Sequence, residues 1–133
     1  KLDKSLCKKY PLIFAERNKS VQESAMAWGF QCDDGYYCLI DNLCQFIQWH
    51  VDQSKIKQVI CVTCKEKFGL LRFYYSGGDD IIKGAIHFAE HLSGRVCENC
   101  GKFGMDIGKT KGWIKSLCQD CAKKENRVWH KNL

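Results

Sequence analysis

Cys97-Glu98-Asn99-Cys100-Gly101, answered seventeen residues later by Cys118-Gln119-Asp120-Cys121, is the stretch that decides the fold of the C-terminal part of this chain. A two-residue insert lets both sulfurs of a pair face one ion, and two such pairs have the spacing of a four-thiolate zinc site. The residues between the pairs are numerous enough for a hairpin. We therefore predict a zinc ribbon holding one structural Zn²⁺. It has no free position for a catalytic water.

The cysteine content leaves two alternatives for the redox state of the chain. Ten cysteines in 133 residues are also typical of small secreted domains stapled by disulfides. The paired spacing, a hydrophobic content of 45% and the lack of a signal-type apolar stretch after Lys1 favour a reducing interior with bound zinc. The apolar runs fall far short of the roughly 20 residues that cross a bilayer, so no membrane span is expected.

The positive charge is concentrated in the C-terminal part. The chain has a net charge of +6, and from Arg95 onward nine Lys and Arg face four Asp and Glu, whereas residues 1–94 carry twelve against eleven. Four thiolates around Zn²⁺ contribute −2, so part of this excess neutralises the site. The remainder is available to an acidic partner.

The N-terminal part is predicted to contain short helices after a basic lead-in over residues 1–10. Pro11 suits the first position of a short helix. Ser20 and Glu23 have the spacing of a capping box, which predicts a helix through Trp28 that ends at Gly29. A longer helix is predicted from Tyr36 to about Val51, because apolar residues recur there at spacings of three and four.

The central part is predicted to be a β-hairpin followed by a helix. Residues 59–63 are rich in β-branched residues, residues 65–69 suggest a turn, and residues 70–75 alternate in polarity. Asp79 then suits the N-cap of a helix that ends at Ser93-Gly94. Its apolar face is predicted to comprise Ile81, Ile82, Ala85, Ile86, Phe88, Ala89 and Leu92.

These elements predict an α+β protein with N-terminal helices, a β-hairpin plus helix, and a C-terminal four-cysteine zinc ribbon. We expect a helical and hairpin body over residues 1–94. The zinc-ribbon module, residues 95–133, is expected to pack on that body and to end in a basic tail. A single proline and the absence of a low-complexity linker favour this close packing.

Cys61 and Cys64 form a third Cys-x-x-Cys pair whose role stays open. In a regular strand, residues three apart point to opposite faces and do not chelate together. A turn at Thr63 would permit a second metal site completed by Cys7, Cys32, Cys38 or His50. Two packed thiols are the favoured interpretation, because no matching second pair is available.

Two weaker patterns favour structural interpretations. His87, Glu90 and His91 match the inverted zinc-protease pattern, but few residues are specified and no third ligand is evident, so a solvated helix face is favoured. The glycines at 77 and 78 precede a helix, yet Asp79 would repel a phosphate there. We predict no catalytic residues and no enzymatic activity.

The ribbon and tail combine cations with aromatic rings, as nucleic-acid surfaces do. An ordinary basic surface with core tryptophans is an equally good explanation. The residues predicted to bind nucleic acid or another partner are Lys102, Lys109, Lys111, Trp113, Lys115, Lys123, Lys124 and Arg127.

The run from Lys65 to Gly78, KEKFGLLRFYYSGG, resembles a segment of small bacteriophage and prophage proteins. The resemblance extends over most of the chain, from Tyr10-Pro11-Leu12-Ile13-Phe14 to the stretch Gly112 to Cys118. It implies a phage accessory protein in the cytoplasm of a bacterial host. It transfers no activity to particular residues.

The sequence leaves two candidate functions. The first is a zinc-binding accessory protein that binds nucleic acid through the basic ribbon surface without catalysis. The second is an inhibitor that blocks a bacterial enzyme or immune complex. The sequence leaves the partner and the oligomeric state open.

Overall fold

A computed structural model describes residues 2–131 and shows an α+β protein with four helices and two antiparallel sheets in that part of the chain. One sheet is the hairpin β1-β2, and the other has the strand order β4-β3-β5. In chain order the elements are α1 Leu2–Lys9, α2 Tyr37–Ser54, β1 Ile60–Lys67, β2 Leu70–Ser76, α3 Asp80–Leu92, β3 Ile107–Thr110, β4 Ser116–Cys118, α4 Gln119–Lys124 and β5 Trp129–Lys131.

The N-terminal lead-in is a helix, which corrects the expectation of an exposed segment. Leu2 and Leu6 are four residues apart and therefore lie on one face of α1, where both are buried. Asp3 accepts a hydrogen bond from Arg17 Nε at 2.9 Å and ties the helix to the following segment. Lys1, at the start of the predicted lead-in, lies outside the described residues.

The segments predicted as the next helices are single turns. Residues 11–14 form turns, and the 3-10 turn Ala15–Asn18 follows them. The Ser20 amide does donate to Glu23 Oε1 at 3.3 Å, but no α-helix follows. Instead Ser24 caps the 3-10 turn Ala25–Trp28, which ends at Gly29 with φ 77°. Local capping bonds form here without enough buried apolar residues to extend a helix.

Helix α2 is confirmed, and it begins and ends within a few residues of the predicted limits. The predicted apolar stripe faces the core of the body, and all of its members are buried: Ile40, Leu43, Cys44, Ile47 and Val51. Lys55 ends the helix in the left-handed conformation, with φ 53°. Cys44 is thus a core residue, as its place in the stripe predicted.

The hairpin is confirmed but is longer than predicted, because its strands continue through the expected turn region. β1 and β2 pair up to Lys67 and Leu70, so the turn consists of Phe68 and Gly69 alone. Both residues have positive φ, 54° and 78°. This is the pattern of a type I′ turn, whose twist matches that of the strands.

Helix α3 begins as predicted, since the Asp79 side chain accepts a hydrogen bond from Ile82 N at 3.1 Å. Its apolar residues divide into two stripes, which corrects the prediction of one face. Ile82, Ile86 and Ala89 are buried in the core of the body. Ile81 is 56% exposed and Phe88 is 64% exposed.

The buried apolar residues form two clusters. The larger cluster extends from Leu2 to Val96, and the smaller one consists of Cys97, Cys118 and Cys121 with Ile107, Leu117 and Ala122. Trp129 packs on the smaller cluster and donates from Nε1 to the Leu117 carbonyl at 2.7 Å. The predicted basic tail is therefore partly a strand, β5, paired with β3. Asn132 and Leu133 lie outside the described residues.

Several hydrogen bonds join the module to the body. Gly35 N donates to the Glu98 carbonyl at 2.7 Å, and Ser116 Oγ donates to the Gly69 carbonyl at 2.5 Å. Between residues 2 and 131 we find no helix long and apolar enough to cross a membrane.

Candidate metal centre and binding surface

The first cysteine pair lies on a turn that leads out of the body. Cys97 is buried, Cys100 is exposed, and Gly101 N donates to the Cys97 carbonyl at 2.8 Å. Gly101 has φ 84°, and a Cβ there would lie 3.2 Å from the Gly35 carbonyl oxygen. Glycine therefore allows the turn to close against the body.

The second pair joins a strand to a helix. Cys118 is the last residue of β4, and Cys121 lies in the first turn of α4. Both residues are buried, and β4 pairs with β3 to carry Cys118 back to the first pair.

The four sulfurs form a compact cluster. All lie within 4.8 Å of one another, and the Sγ atoms of Cys100 and Cys118 are 3.8 Å apart. A tetrahedron with metal–sulfur bonds of about 2.3 Å has edges of about 3.8 Å, so this arrangement fits a four-coordinate metal. Four thiolates are a soft donor set of the kind that binds zinc or iron.

Backbone amides prepare one of the thiols for metal binding. Burial raises the pKa of Cys97, but N–H groups of Cys100, Cys118 and Asn99 point at its sulfur and outweigh that effect, so its pKa is lowered. Metal ligation requires the thiolate form. The turn therefore favours the ligating state of the most buried cysteine of the cluster.

Glu98 is a residue of this region that the sequence reasoning missed. It is 1% exposed, its Oε2 accepts from Asp33 N at 3.1 Å, and its Oε1 has no hydrogen-bond partner among the described residues. Burial raises its pKa to about 7. Its burial depends on contacts with Asp33 and Gly35 of the body, which the sequence does not reveal.

Cys61 and Cys64 both point into the core of the body and are fully buried. The register of β1 shifts between Cys61 and Thr63, and this bulge places residues three apart on one side. Cys61 Sγ lies 3.8 Å from Met26 Sδ. Within residues 2–131, Cys97, Cys100, Cys118 and Cys121 are the one group of three or more possible ligands that comes together.

His87 and His91 are exposed on α3, as a solvated helix face predicts. Glu90 has a different role, because its Oε2 accepts from Phe73 N at 2.8 Å and so caps the free edge of β2. Ser93 Oγ does the same for Leu71 N at 2.8 Å. Covering an edge strand in this way protects it from pairing with other chains.

Three of the predicted binding residues form contacts inside the protein. Lys109 Nζ donates to the Gly69 carbonyl at 3.1 Å and to Ser116 Oγ, and burial lowers its pKa. Lys115 Nζ lies 2.7 Å from Asp33 Oδ2 and 3.6 Å from Glu125 Oε2. Arg127 donates to the Trp113 carbonyl and forms an ion pair with Glu125.

The other five are exposed: Lys102, Lys111, Trp113, Lys123 and Lys124. Within the described part of the chain, these four lysines take no part in an ion pair. Trp113 has the largest exposed fraction of the large apolar residues, 73%. A role in binding stays a prediction for all eight residues.

Two exposed aromatic rings come together at the tips of two hairpins. Phe68, at the tip of β1-β2, is 66% exposed, and Trp113 lies in the β3-β4 loop. They line a mainly apolar cleft of about 330 Å³ together with Glu66, Lys67, Gly112 and Ile114. We call these six residues the aromatic cleft.

Hydrogen bonds fix the backbone of the loop that carries Trp113. Thr110 Oγ1 donates to the Trp113 carbonyl at 2.9 Å and accepts from Lys115 N at 2.8 Å. Arg127 donates to the same carbonyl. The indole ring therefore projects from a backbone that the Arg127 side chain and the Lys115 amide help to position.

Comparison of the chain with protein-family models, with curated proteins and with solved structures finds no match. The phage resemblance of the central run stays a prediction. The function of the chain is therefore argued from the metal centre and the aromatic cleft.

Proposed function

We propose that this protein is a zinc-binding accessory protein without catalysis whose aromatic cleft holds a single-stranded nucleic acid. Zn²⁺ at the four thiolates supports the module, and bases stack on Phe68 and Trp113. The observation that carries this proposal is the pairing of two exposed aromatic rings across one cleft beside free cations. Stacking of bases on aromatic side chains, with cations along the backbone, is the common mode of single-strand binding.

The backbone of Phe68 supports a functional role for its ring. A bulky residue with positive φ is uncommon, and type I′ turns prefer Asn-Gly at these positions. Strained residues that persist at exposed positions are candidates for function. The turn keeps a phenyl ring in water where an asparagine would fit the backbone better.

Cations flank the two rings. Lys67 Nζ lies 5.8 Å from the centroid of the Phe68 ring, and Lys111 is exposed two residues before Trp113. Neither lysine belongs to an ion pair formed within residues 2–131. Both are thus available to phosphates. Glu66 also lines the cleft, but its Oε2 accepts from Gly69 N at 3.3 Å.

The test measures fluorescence anisotropy of short labelled oligothymidylate and oligouridylate with the protein at several salt concentrations. Trp113→Ala is expected to weaken binding by about 1–3 kcal/mol, which is roughly 5- to 150-fold. Trp28→Ala is the matched control, because Trp28 is 66% exposed and lies outside the cleft. Equal affinity of wild type and Trp113→Ala would contradict the proposal.

The proposal also predicts discrimination between single and double strands. Duplex DNA of the same sequence should compete poorly, since its bases are already stacked. The alternative, an inhibitor of a bacterial enzyme or immune complex, is distinguished by a pull-down from bacterial extract. A host protein retained after nuclease treatment, together with no oligonucleotide binding, would replace the present proposal by that alternative.

A further inference from the structure

Helices α2 and α3 each have a second apolar stripe beside the one that faces the core. On both helices its members recur at spacings of three and four. They are Leu39, Phe46 and Trp49, with the polar Asn42 among them, on α2, and Ile81, Ala85, Phe88 and Leu92 on α3. Leu39 and Ala85 also pack against the core of the body, whereas Phe46, Trp49, Ile81 and Phe88 are exposed.

The two stripes lie side by side and form one surface. At one end His50 Nε2 is 2.9 Å from Asp79 Oδ2, and at the other end Leu39 and Leu92 line the same groove, so the helices are antiparallel. The groove continues to Phe103 of the metal module, which is 61% exposed. We call the two stripes together with Phe103 the α2–α3 face.

The size of this face is that of an interface core. Its most exposed large residues are Phe46, Trp49, Ile81, Phe88 and Phe103, at 38%, 57%, 56%, 64% and 61%. Together they expose on the order of 500 Å² of mainly apolar surface, as judged from the area of such side chains. A standard interface buries about 800 Å² on each partner, with an apolar centre inside a polar rim.

The charge of the face indicates the occupant. Both stripes and Phe103 consist of uncharged residues, in a chain of net charge +6. The excess positive charge lies mainly in residues 95–133, so two copies that meet through this uncharged face bring no like charges of the face together. A symmetric interface requires such a self-complementary surface.

We propose that the α2–α3 face is a dimer interface between two copies of this chain. Helices α2 and α3 of each copy pack as a four-helix layer around a twofold axis. The aromatic cleft is formed by other residues, so dimer formation and nucleic-acid binding are separate properties.

Sedimentation velocity of the full chain over a wide concentration range tests the proposal. The wild type is expected to sediment as a dimer that dissociates on dilution. Phe88→Asp places a carboxylate in the apolar face twice, once from each copy, and is expected to raise the dimer Kd at least about 100-fold.

Phe68→Asp is the matched control, because Phe68 is 66% exposed on the hairpin tip, and it should leave the dimer unchanged. Trp49→Lys is a second variant on α2 and should act as Phe88→Asp does. Circular dichroism checks that both interface variants keep their helices. A wild type that stays monomeric at every concentration would overturn the proposal, as would a dimer that survives both interface variants.

Discussion

Lys109 and Lys111 are two residues apart in the chain, yet the structure gives them opposite roles. The ammonium of Lys109 is directed inward to the Gly69 carbonyl and Ser116, whereas Lys111 faces solvent. β3 ends at Thr110, so Lys111 lies in the following loop and no longer shares the face on which strand alternation would place it beside Lys109. Charge counts along the sequence treat both residues alike, and only the contacts separate them.

Lys109→Met should therefore leave oligonucleotide affinity and its salt dependence unchanged. Gly69 still accepts from Ser116 and from Tyr36, so its carbonyl stays satisfied. Lys111→Ala should weaken binding and reduce the salt slope by about 0.7, the loss of one phosphate contact on a single strand. Anisotropy titrations at several salt concentrations measure both. Weaker binding by Lys109→Met together with unchanged binding by Lys111→Ala would contradict the proposed binding role of Lys111.

Phe68→Asn is expected to increase stability and to reduce binding at the same time. Asparagine tolerates the left-handed conformation that Phe68 adopts, so relief of strain is expected to contribute about 1 kcal/mol. Loss of the ring removes one stacking partner. Thermal unfolding and anisotropy measure the two effects.

The control for that change is Phe103→Asn. Phe103 is similarly exposed, at 61%, but its φ is not positive. It should give no gain in stability, and a gain as large as that of Phe68→Asn would exclude strain as the cause.

At the scale of elements, the stability of helix α3 depends on its N-cap residue, Asp79. Asp79 accepts from Ile82 N at 3.1 Å and lies 2.9 Å from His50 Nε2 on α2. One carboxylate thus caps α3 and joins it to the C-terminal half of α2. The hydrogen bond with His50 and that with the Ile82 amide lower the pKa of Asp79.

Asp79→Ala should lower the melting temperature by a few degrees through loss of the cap. Because the folded pKa of Asp79 is lowered, its contribution is present above the unfolded pKa near 3.8 and is lost as pH falls through the folded pKa. The wild type and the variant should therefore converge in stability at strongly acidic pH. Thermal unfolding between neutral and acidic pH checks this, and a constant difference would contradict it.

The elements that the sequence predicted well are those set by local periodicity. Helix α2 and the hairpin have enough apolar residues at the right spacing to be evident without their partners. The bulge between Cys61 and Thr63 was not predictable, because register depends on the facing strand. The aromatic cleft was also not predictable from the sequence, because Phe68 and Trp113 lie far apart in the chain and meet only when the module docks on the body.

On the scale of the whole molecule, the two cores differ in what holds them. The body has a large apolar core, whereas the module's core contains three of its four cysteines and few other residues. Metal binding supplies folding free energy in such small units. The body should consequently fold without metal and the module should not.

Removal of the metal with a strong chelator should unfold the module and leave the body folded. Hydrogen exchange is expected to lose protection between Cys97 and Lys131 and to keep it in α2, β1 and β2. Cys118→Ser should reproduce this result, and Cys38→Ser, at an exposed cysteine outside the cluster, serves as the control for loss of a thiol. Elemental analysis should find one zinc per chain. Full protection of the module without metal would contradict the structural role of the site.

The Gly69 carbonyl accepts from Tyr36 of the body and from Lys109 and Ser116 of the module. Its neighbour Phe68 is one wall of the cleft, while Trp113 on the module is the other. The distance between the walls therefore depends on the module, whose folding we expect to require the metal. On the proposed function, affinity for a strand would fall with the metal supply, so a shortage of metal would switch the protein off without degrading it.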